Sequence, residues 1–492
     1  MKKNILFFIV FIFCFHSSGT FAQDVIQEKD SISIYKDINN FSKKSKFSRF
    51  IYKLLFRESA LKAENLFPSK PKKKEKVVSK YQEGKIIRNI TIETLDPFGY
   101  SVTNEKKVPK RSMEKFGNSI HIKTKEVTIR NIMLFKKHDK LDSKLLLESE
   151  RLIRSQRYIR EVTIVPIDIA NSKDSIDIKI RVLDSWTLIP TGSLSSNESS
   201  VKLTERNILG FGHLISGNIK NRFDTKERAV YAQYSINNIK NTYIRLDLDY
   251  ANDYNNDSKR SININRPFYS VITKNAGGAF FENRLRTEHF PVLDTISLQK
   301  VSYDFQEYWY GRAFKVTSKS NPERYFTNLI LALTYNQKVF GRLPEPILDT
   351  SNYFSNEKNL IGMIGVSRQK FYQDKFVFNY NITEDIPYGE NIALIVGHQE
   401  KNSNSRMYTG LSVSYGKKYS FGYASGFAEW GSFYDAGFTE QTTFKMGFNY
   451  FSPLISWGNW RFRQFVKPTY VWGNNRDDSF KDRLNLLDED GL

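Results

Sequence analysis

Apolar and polar positions alternate along most of the chain, and the period of the alternation changes once. From Trp186 onward apolar residues recur at every second position, in segments of roughly ten residues. Ile244, Leu246, Leu248 and Tyr250 alternate with Arg245, Asp247 and Asp249, and Leu329, Leu331 and Leu333 with Asn328, Ile330 and Ala332. Leu411, Val413 and Tyr415 are separated by Ser412 and Ser414, and Phe444, Met446, Phe448 and Tyr450 by Lys445, Gly447 and Asn449. Successive side chains of a strand point to opposite faces, so each segment predicts a strand with one apolar and one polar side. The segments end in polar stretches such as Asn252-Asp-Tyr-Asn-Asn-Asp257. About twelve strands are predicted, the last over Arg461 to Trp472.

Residues 85 to 185 are patterned differently. Lys85 to Leu95 predicts a strand, followed by an irregular insertion from Asp96 to Lys123. Two helices are predicted next, one from about Lys125 to Phe135 and one capped at Asp142-Ser143 and ending near Gln156, with Leu145, Leu146, Leu147, Leu152 and Ile153 apolar. Strands follow over Tyr158 to Ile169 and Ser175 to Leu183. In the second, Ile176, Ile178, Ile180 and Val182 alternate with Asp177, Lys179 and Arg181.

The first residues supply a compartment. Lys2 and Lys3 precede an apolar run from Ile5 to Phe15 and a small-residue stretch leading to Ala22-Gln23, the layout of a secretory signal, so residues 1–23 are expected to be removed. A signal anchor is the other reading, but the run is short for a span. The only cysteine, Cys14, lies inside that run, so disulfides, thiolate metal sites and a Cys nucleophile are not expected in the mature chain. Residues 24–84 are polar and basic, densest at Lys70-Pro-Lys-Lys-Lys-Glu-Lys76, and read as a periplasmic tether. Within them Phe47, Phe50, Ile51, Leu54 and Leu55 fall at helical spacing among Lys46, Arg49, Lys53 and Arg57. This amphipathic basic helix is expected to pack on the neighbouring domain, with an anionic membrane surface or a pore as the alternative place for it.

Composition then narrows the class. The 492 residues are 40% hydrophobic and 14% aromatic, with 38 Phe and 27 Tyr, and past the first residues no apolar run reaches the length of a membrane helix. Low hydropathy, many aromatics and dyad alternation are what a transmembrane β-barrel requires: all backbone groups paired within the sheet, an apolar outside, a wet inside and aromatic girdles. A soluble β-sandwich or jelly roll also alternates, but some 300 residues of such segments would make a very large one. The formal charge of +21, or +19 without Lys2 and Lys3, would suggest nucleic acid as a partner. Export removes that reading, and no nucleic acid is expected. The fold class is therefore mainly β, an antiparallel transmembrane barrel over 186–492 preceded by a small α+β domain over 85–185.

Three stretches then give the small domain a family. Asn131-Ile-Met-Leu-Phe-Lys-Lys-His-Asp139, Leu147-Glu-Ser-Glu-Arg-Leu-Ile-Arg154 and Tyr158-Ile-Arg-Glu-Val-Thr-Ile164 resemble the helix-helix-strand pattern of a polypeptide-transport-associated (POTRA) domain, with the insertion after the first strand as a departure. At the start of the barrel, Glu205-Arg-Asn-Ile-Leu-Gly-Phe-Gly-His213 is similar to the E-x-N-x-x-G-x-G segment of the first hairpin in the BamA and TamA family of outer-membrane insertases. Asn265-Arg-Pro-Phe-Tyr269 and Glu384-Asp-Ile-Pro-Tyr-Gly389 are similar to two later segments of that family. Barrels of the family have sixteen strands, an R-G-F or R-G-Y loop triplet and a terminal aromatic residue. The chain ends instead on Leu487-Asp-Glu-Asp-Gly-Leu492, so the resemblance implies either a fragment, the favoured expectation, or a barrel of different size.

The resemblance implies insertion or translocation of other polypeptides at the bacterial outer membrane by strand templating, with the domain preceding the barrel in the periplasm. The implied partners are unfolded outer-membrane or secreted client proteins, the lipid bilayer and accessory lipoproteins. Client pairing would use the edges of the small domain's sheet, at Tyr158, Val162, Ile164, Ile178 and Ile180, and the first barrel strand near Trp186. Glu205, Asn207, Gly210 and Gly212 carry the first-hairpin motif. No catalytic residue, metal or cofactor is expected. His121, His138, His213, His289 and His398 show no metal-helix spacing, and neither G-x-S-x-G nor a phosphate-cradling loop is present. A passive porin or a dedicated two-partner-type secretion transporter is the alternative; an adhesin, or a hydrolase with its triad scattered among loops, is more remote.

Overall fold

A computed structural model describes residues 82–170, 172–292, 295–316, 327–458, 460–477 and 479. They belong to one compact unit, Lys74–Leu492. The expected signal peptide, nearly all of the basic tether with its helix, and the C-terminal segment 487–492 lie outside the described residues.

The first part of the described chain is a small module of β1 (Ile86–Leu95), α1 (Ser112–Ile120), α2 (Glu126–Arg130), α3 (Ser143–Arg154), β2 (Ile159–Asp168) and β3 (Ser175–Asp184). Its sheet has the order β1-β3-β2, with β3 parallel to β1 and antiparallel to β2. The alternation in β3 is realised: Ile176, Ile178, Ile180 and Val182 are fully buried under the helices. α3 starts where Asp142 accepts a hydrogen bond from the Lys144 amide at 2.8 Å, and it buries Leu146, Leu152 and Ile153. The opposite face is exposed along Arg88, Asn89 and Thr91 but covered at the Arg181 end. Arg181 on it pairs with Glu93 at 2.7 Å and donates to the carbonyls of Ser101 and Val102, so the insertion folds over the sheet.

Two expectations need correction in this module. The helix expected over 125–135 spans only Glu126–Arg130. The carbonyls of Asn131 and Ile132, which a longer helix would have used, accept instead from Asn238 and from the Tyr243 hydroxyl, so tertiary contacts with the large sheet replace the last turns. The insertion expected to be irregular contains α1, in which Met113, Phe116 and Ile120 recur at helical spacing.

The rest is one large antiparallel sheet built as a meander. Its strands are β4 (Leu188–Leu194), β5 (Glu198–Ile208), β6 (His213–Arg222), β7 (Arg228–Ile236), β8 (Arg245–Asn252), β9 (Ser258–Arg266) and β10 (Asn275–Val292), followed by β11 (Thr295–Lys315), β12 (Thr327–Arg342), β13 (Glu357–Lys375) and β14 (Thr383–Lys401). β15 (Asn404–Tyr419), β16 (Gly422–Asp435) and β17 (Phe438–Phe451) continue it. β18 (Ile455–Trp457) and β19 (Trp460–Phe462) form a separate hairpin, and β20 (Phe465–Val466) and β21 (Thr469–Asn474) then both pair with β17. The sheet therefore has sixteen strand segments, arranged as a path of fifteen positions in which β20 and β21 are two halves of one run.

The expected count of about twelve is too low, and the last run is Phe465–Asn474 rather than Arg461–Trp472, because Arg461 and Phe462 belong to the small hairpin. The undercount follows from turns of two residues. Asn402-Ser403 (φ 54° and 62°) and Ala436-Gly437 (φ 46° and 89°) both take the left-handed conformation of a tight hairpin, and at Ala436-Gly437 β16 runs into β17 with no polar gap between them in the sequence.

The two faces of the sheet differ as the alternation demands. Leu331, Ile364, Leu394, Leu411, Trp430, Phe444 and Trp472 lie directly opposite one another on seven successive strands, and all but Phe444 are exposed. On the other face Asn336, Asn359, Gln399 and Arg406 form a second row, linked side chain to side chain at 2.8 to 3.1 Å and ending on Glu440 at 3.0 Å. The sheet is also curled. Arg463, just before β20, reaches Asp374 of β13 at 3.4 Å with four strands between them in the ladder, whereas five spacings of a flat sheet would be roughly 24 Å. Among the described residues β4 pairs only with β5, and β20 and β21 only with β17. No helix among the described residues is long and apolar enough to cross a membrane, which does not bear on crossing by strands.

Candidate functional site

Because β4 leaves directly from the module, the turns β5–β6, β7–β8, β9–β10 and β13–β14 all lie at the end of the sheet nearest the module. The module is fastened to that end at several points, and the first-hairpin motif supplies the tightest of them. Asn207 is buried: its side-chain amide donates to Thr124 Oγ1 at 2.9 Å, and its carbonyl oxygen accepts from the Gly212 amide at 2.7 Å. Glu205 accepts from the Asn207 amide at 2.7 Å and so holds the backbone that carries it. The Gly210 carbonyl accepts from the Lys125 amide at 2.9 Å and from Thr128 Oγ1 at 2.8 Å.

Both glycines of the motif have positive φ, 79° at Gly210 and 71° at Gly212. Space matters as much as conformation. A Cβ on Gly210 would lie 2.3 Å from the Lys123 carbonyl oxygen, and one on Gly212 2.6 Å from the Tyr158 hydroxyl. The motif expected to serve the barrel hairpin thus also forms the seat of the module.

Around the curl, further turns hold the opposite side of the module. Arg154 of α3 makes two hydrogen bonds to the Asp385 carboxylate of β14, at 2.9 and 3.0 Å, and also pairs with Glu150. Arg151 donates to the Tyr269 carbonyl in the β9–β10 turn and stacks 4.3 Å from the Phe371 ring of β13. Tyr243 and Tyr269 stack at 3.7 Å, and the Tyr243 hydroxyl donates to the Ile132 carbonyl at 2.6 Å. Contacts running from β5 round to β14 place the module across the curled end of the sheet.

The link between module and first strand is built on buried charge. Asp184 is fully buried and accepts from the Thr124 amide at 2.8 Å; its carboxylate lies 3.9 Å from His121 Nε2, and His121 Nδ1 is 3.2 Å from Asp96, which also pairs with Lys123. Burial pushes the Asp184 carboxyl up to about 6 against the opposing pull of the Thr124 hydrogen bonds and His121. Trp186 packs between Phe98 and His121 at 5.8 and 6.4 Å, and its indole N–H donates to the carbonyl of Leu188, the first residue of β4.

The expected client-pairing residues fall into three places. Ile178 and Ile180 lie on β3, whose two edges are both taken within the module, so strand addition at Ser175 to Leu183 is corrected: β3 is the central strand. Val162 and Ile164 lie on β2, which pairs on one side only among the described residues, with their side chains in the core. Tyr158 is buried against Gly212, where burial raises its phenol, and Trp186 sits at the joint. Thr124, Thr128, Asp184 and Tyr243, which help complete the seat, carry no motif in the sequence, and Arg151, Arg154 and Asp385 lie in family-like stretches that do not mark them as partners; their roles come from distances between segments far apart in the chain.

Comparisons with known proteins add little to this geometry. No family model matches the chain, and no curated protein matches it. Among solved structures, similar chains include BamA from Haemophilus ducreyi lacking POTRA domains 1–3, at 11% identity and a TM-score of 0.25, covering 78% of this chain and 85% of that one. CdiB from Acinetobacter baumannii is similar at 10% identity and 0.32, covering 92% and 99%, and CdiB from Escherichia coli at 9% and 0.33, covering 92% and 100%.

Proposed function

We propose that the chain is an outer-membrane protein that inserts other polypeptides into the bacterial outer membrane or passes them across it, without covalent chemistry of its own. The apolar outer row supports placement in lipid, with a polar ladder lining the interior. The observation that carries the reading is the state of β4. It is unpaired on one side among the described residues, and it is tied through Trp186 and Asp184 to a module whose own edge strand, β2, is also unpaired. Among the described residues each of these strands has one edge without a strand partner, and such edges offer a client segment backbone partners in succession, first on the module and then on the sheet.

In this reading the module is a POTRA-like periplasmic domain, residues 1–23 are its export signal and 24–84 its tether, and accessory lipoproteins are further partners. A passive porin is disfavoured by the contacts that lay the module across the curled end, since a porin needs that mouth open. A dedicated secretion transporter uses the same edges for one client.

The test is photo-crosslinking from Thr191 or Ser193 in β4 during export. Adducts with nascent membrane or secreted proteins at these positions, and far fewer at Asn359 inside the sheet, are expected. Adducts at Asn359 alone would show passage through the interior without strand pairing, and adducts nowhere would end the reading.

A further inference from the structure

α1 is amphipathic in the wrong sense for a helix packed on its own domain. A helix on a small domain ordinarily turns its large apolar residues inward. α1 docks instead through small and polar ones: Asn118 exchanges two hydrogen bonds with the Phe98 backbone, at 2.9 and 3.2 Å, and Gly117 lies against the Phe98 ring, where a Cβ would come within 2.8 Å. Met113, Phe116 and Ile120 are left outside, Phe116 52% and Ile120 56% exposed, and Val108 and Ile122 extend the same exposed set to either side. No residue of α1 is buried.

The surroundings of this face are basic. From Lys106 to Lys125 there are seven basic side chains against Glu114 alone, and Lys106, Lys107, Lys110, Arg111 and Lys115 are all exposed. Glu114 itself is engaged at the helix start, accepting from the Lys110 and Arg111 amides at 3.0 and 3.1 Å, which holds its carboxyl below the usual range.

The position of the helix selects the partner. Phe98, on which α1 rests, packs on Trp186, and Trp186 is bonded to the first residue of β4. On the next turn Lys125 lies 3.8 Å over Phe211, and Leu209 and Phe211 are themselves exposed at the rim of the sheet. The apolar face of α1 is thus separated from the rim by two aromatic rings, and it is bordered by cations on a module at the same end.

We propose that α1 is an interfacial anchor: its Met113–Phe116–Ile120 face enters the acyl boundary of the leaflet on the module's side, and Lys106, Lys107, Lys110, Arg111 and Lys115 bind the anionic phospholipid headgroups of that leaflet. This rests on the placement of the large sheet in the bilayer. An interfacial helix with basic borders suits this site because apolar burial and headgroup attraction act on the same short segment. The anchor would also fix the height of the module beneath β4, so that its edge strand meets the sheet at one level.

The experiment uses the full chain with Cys14 replaced, reconstituted in phosphatidylcholine vesicles with or without phosphatidylglycerol. A fluorophore on a single cysteine at Phe116 is read against lipids carrying quenchers at shallow or deep positions, and a second preparation carries the label at Leu394. Shallow quenching at 116 that strengthens with phosphatidylglycerol, together with deep quenching at 394, is expected. Replacing Lys106, Lys107 and Lys110 by Gln should weaken the quenching at 116, by about fivefold in partitioning per charge at low salt, and leave 394 unchanged. Quenching at 394 but not at 116 overturns the anchor while leaving the barrel in place. Quenching at neither overturns the placement of the sheet and the anchor with it. Protection of 116 by a crosslinked second copy or another protein, independent of lipid, overturns the anchor as well.

Discussion

Arg154 and Asp385 are 231 positions apart in the chain and joined by two hydrogen bonds, one residue on a helix of the small module and the other on β14 of the large sheet, with both side chains largely buried. Removing one partner leaves the other charge buried without compensation, which costs about 3–5 kcal/mol. Arg154→Ala and Asp385→Ala should therefore each loosen the module, seen as faster hydrogen exchange in α3. The double variant should cost much less than the sum. Additive effects would mean that the pair does not hold the module.

The seat of the module predicts steric sensitivity at two glycines. Gly210→Ala places a Cβ against a backbone carbonyl and Gly212→Ala places one against the Tyr158 ring, both at positive φ. Each should destabilise docking by about 2–4 kcal/mol, with Gly210→Ala the worse because a carbonyl cannot swing aside. Tyr158→Leu should partly rescue Gly212→Ala and should not rescue Gly210→Ala, measured as protease resistance of the 185–188 link.

Asp184 predicts a pH dependence of defined sign. Its carboxyl titrates near 6 in the folded protein, above an ordinary aspartate, because burial disfavours the charge. A raised carboxyl pKa means that the folded state takes up a proton more readily than the unfolded one, so this group's contribution is complete below about pH 4 and is lost as pH rises through 6. The module should be more firmly held at pH 5 than at pH 7, by about 1 kcal/mol, out of about 3 kcal/mol over the whole range from below pH 4 to above pH 7. Asp184→Asn keeps an acceptor for the Thr124 amide and should flatten the profile in that window. A profile unchanged by the substitution would assign the dependence to another group.

The row opposite Leu394 predicts how the sheet answers to charge. Leu394→Arg on the apolar face should cost about 2–4 kcal/mol if that face meets the middle of a bilayer. Asn359→Ala on the other face should cost about 1 kcal/mol through the lost Asn336 and Gln399 partners. Folding yields into vesicles across a urea series measure both. Equal tolerance at 394 and 359 would argue for a sheet in water.

Local pattern carried much of the fold. Ile176 to Val182 in β3, Asp142 before α3 and the alternation around Leu411 and Phe444 each state their element within a few residues, because side-chain periodicity is a short-range property. Features decided at long range were not readable. α2 stops early because Asn238 and Tyr243, more than 100 positions away, take its carbonyls. β3 is central because β1 pairs with it across about 80 residues, and nothing in its alternation distinguishes a centre from an edge. α1 was hidden by Gly117 and Asn118, poor helix formers that turn out to be its docking side. At the joint, Glu205, Asn207, Gly210 and Gly212 were legible as a motif, but their contacts with Thr124, Thr128 and Tyr158 were not.

The fifteen-position path has a directional corollary. In a strict up-and-down meander every odd position runs the same way, so β4 and the β20–β21 run point in the same direction and cannot pair antiparallel with each other. A segment lying between them and antiparallel to both would have to descend, its amino end far from the module and its carboxyl end beside it. Parity thus gives the two edges left open among the described residues a common vector: of the two directions a strand pairing with both could take, only one is antiparallel to each.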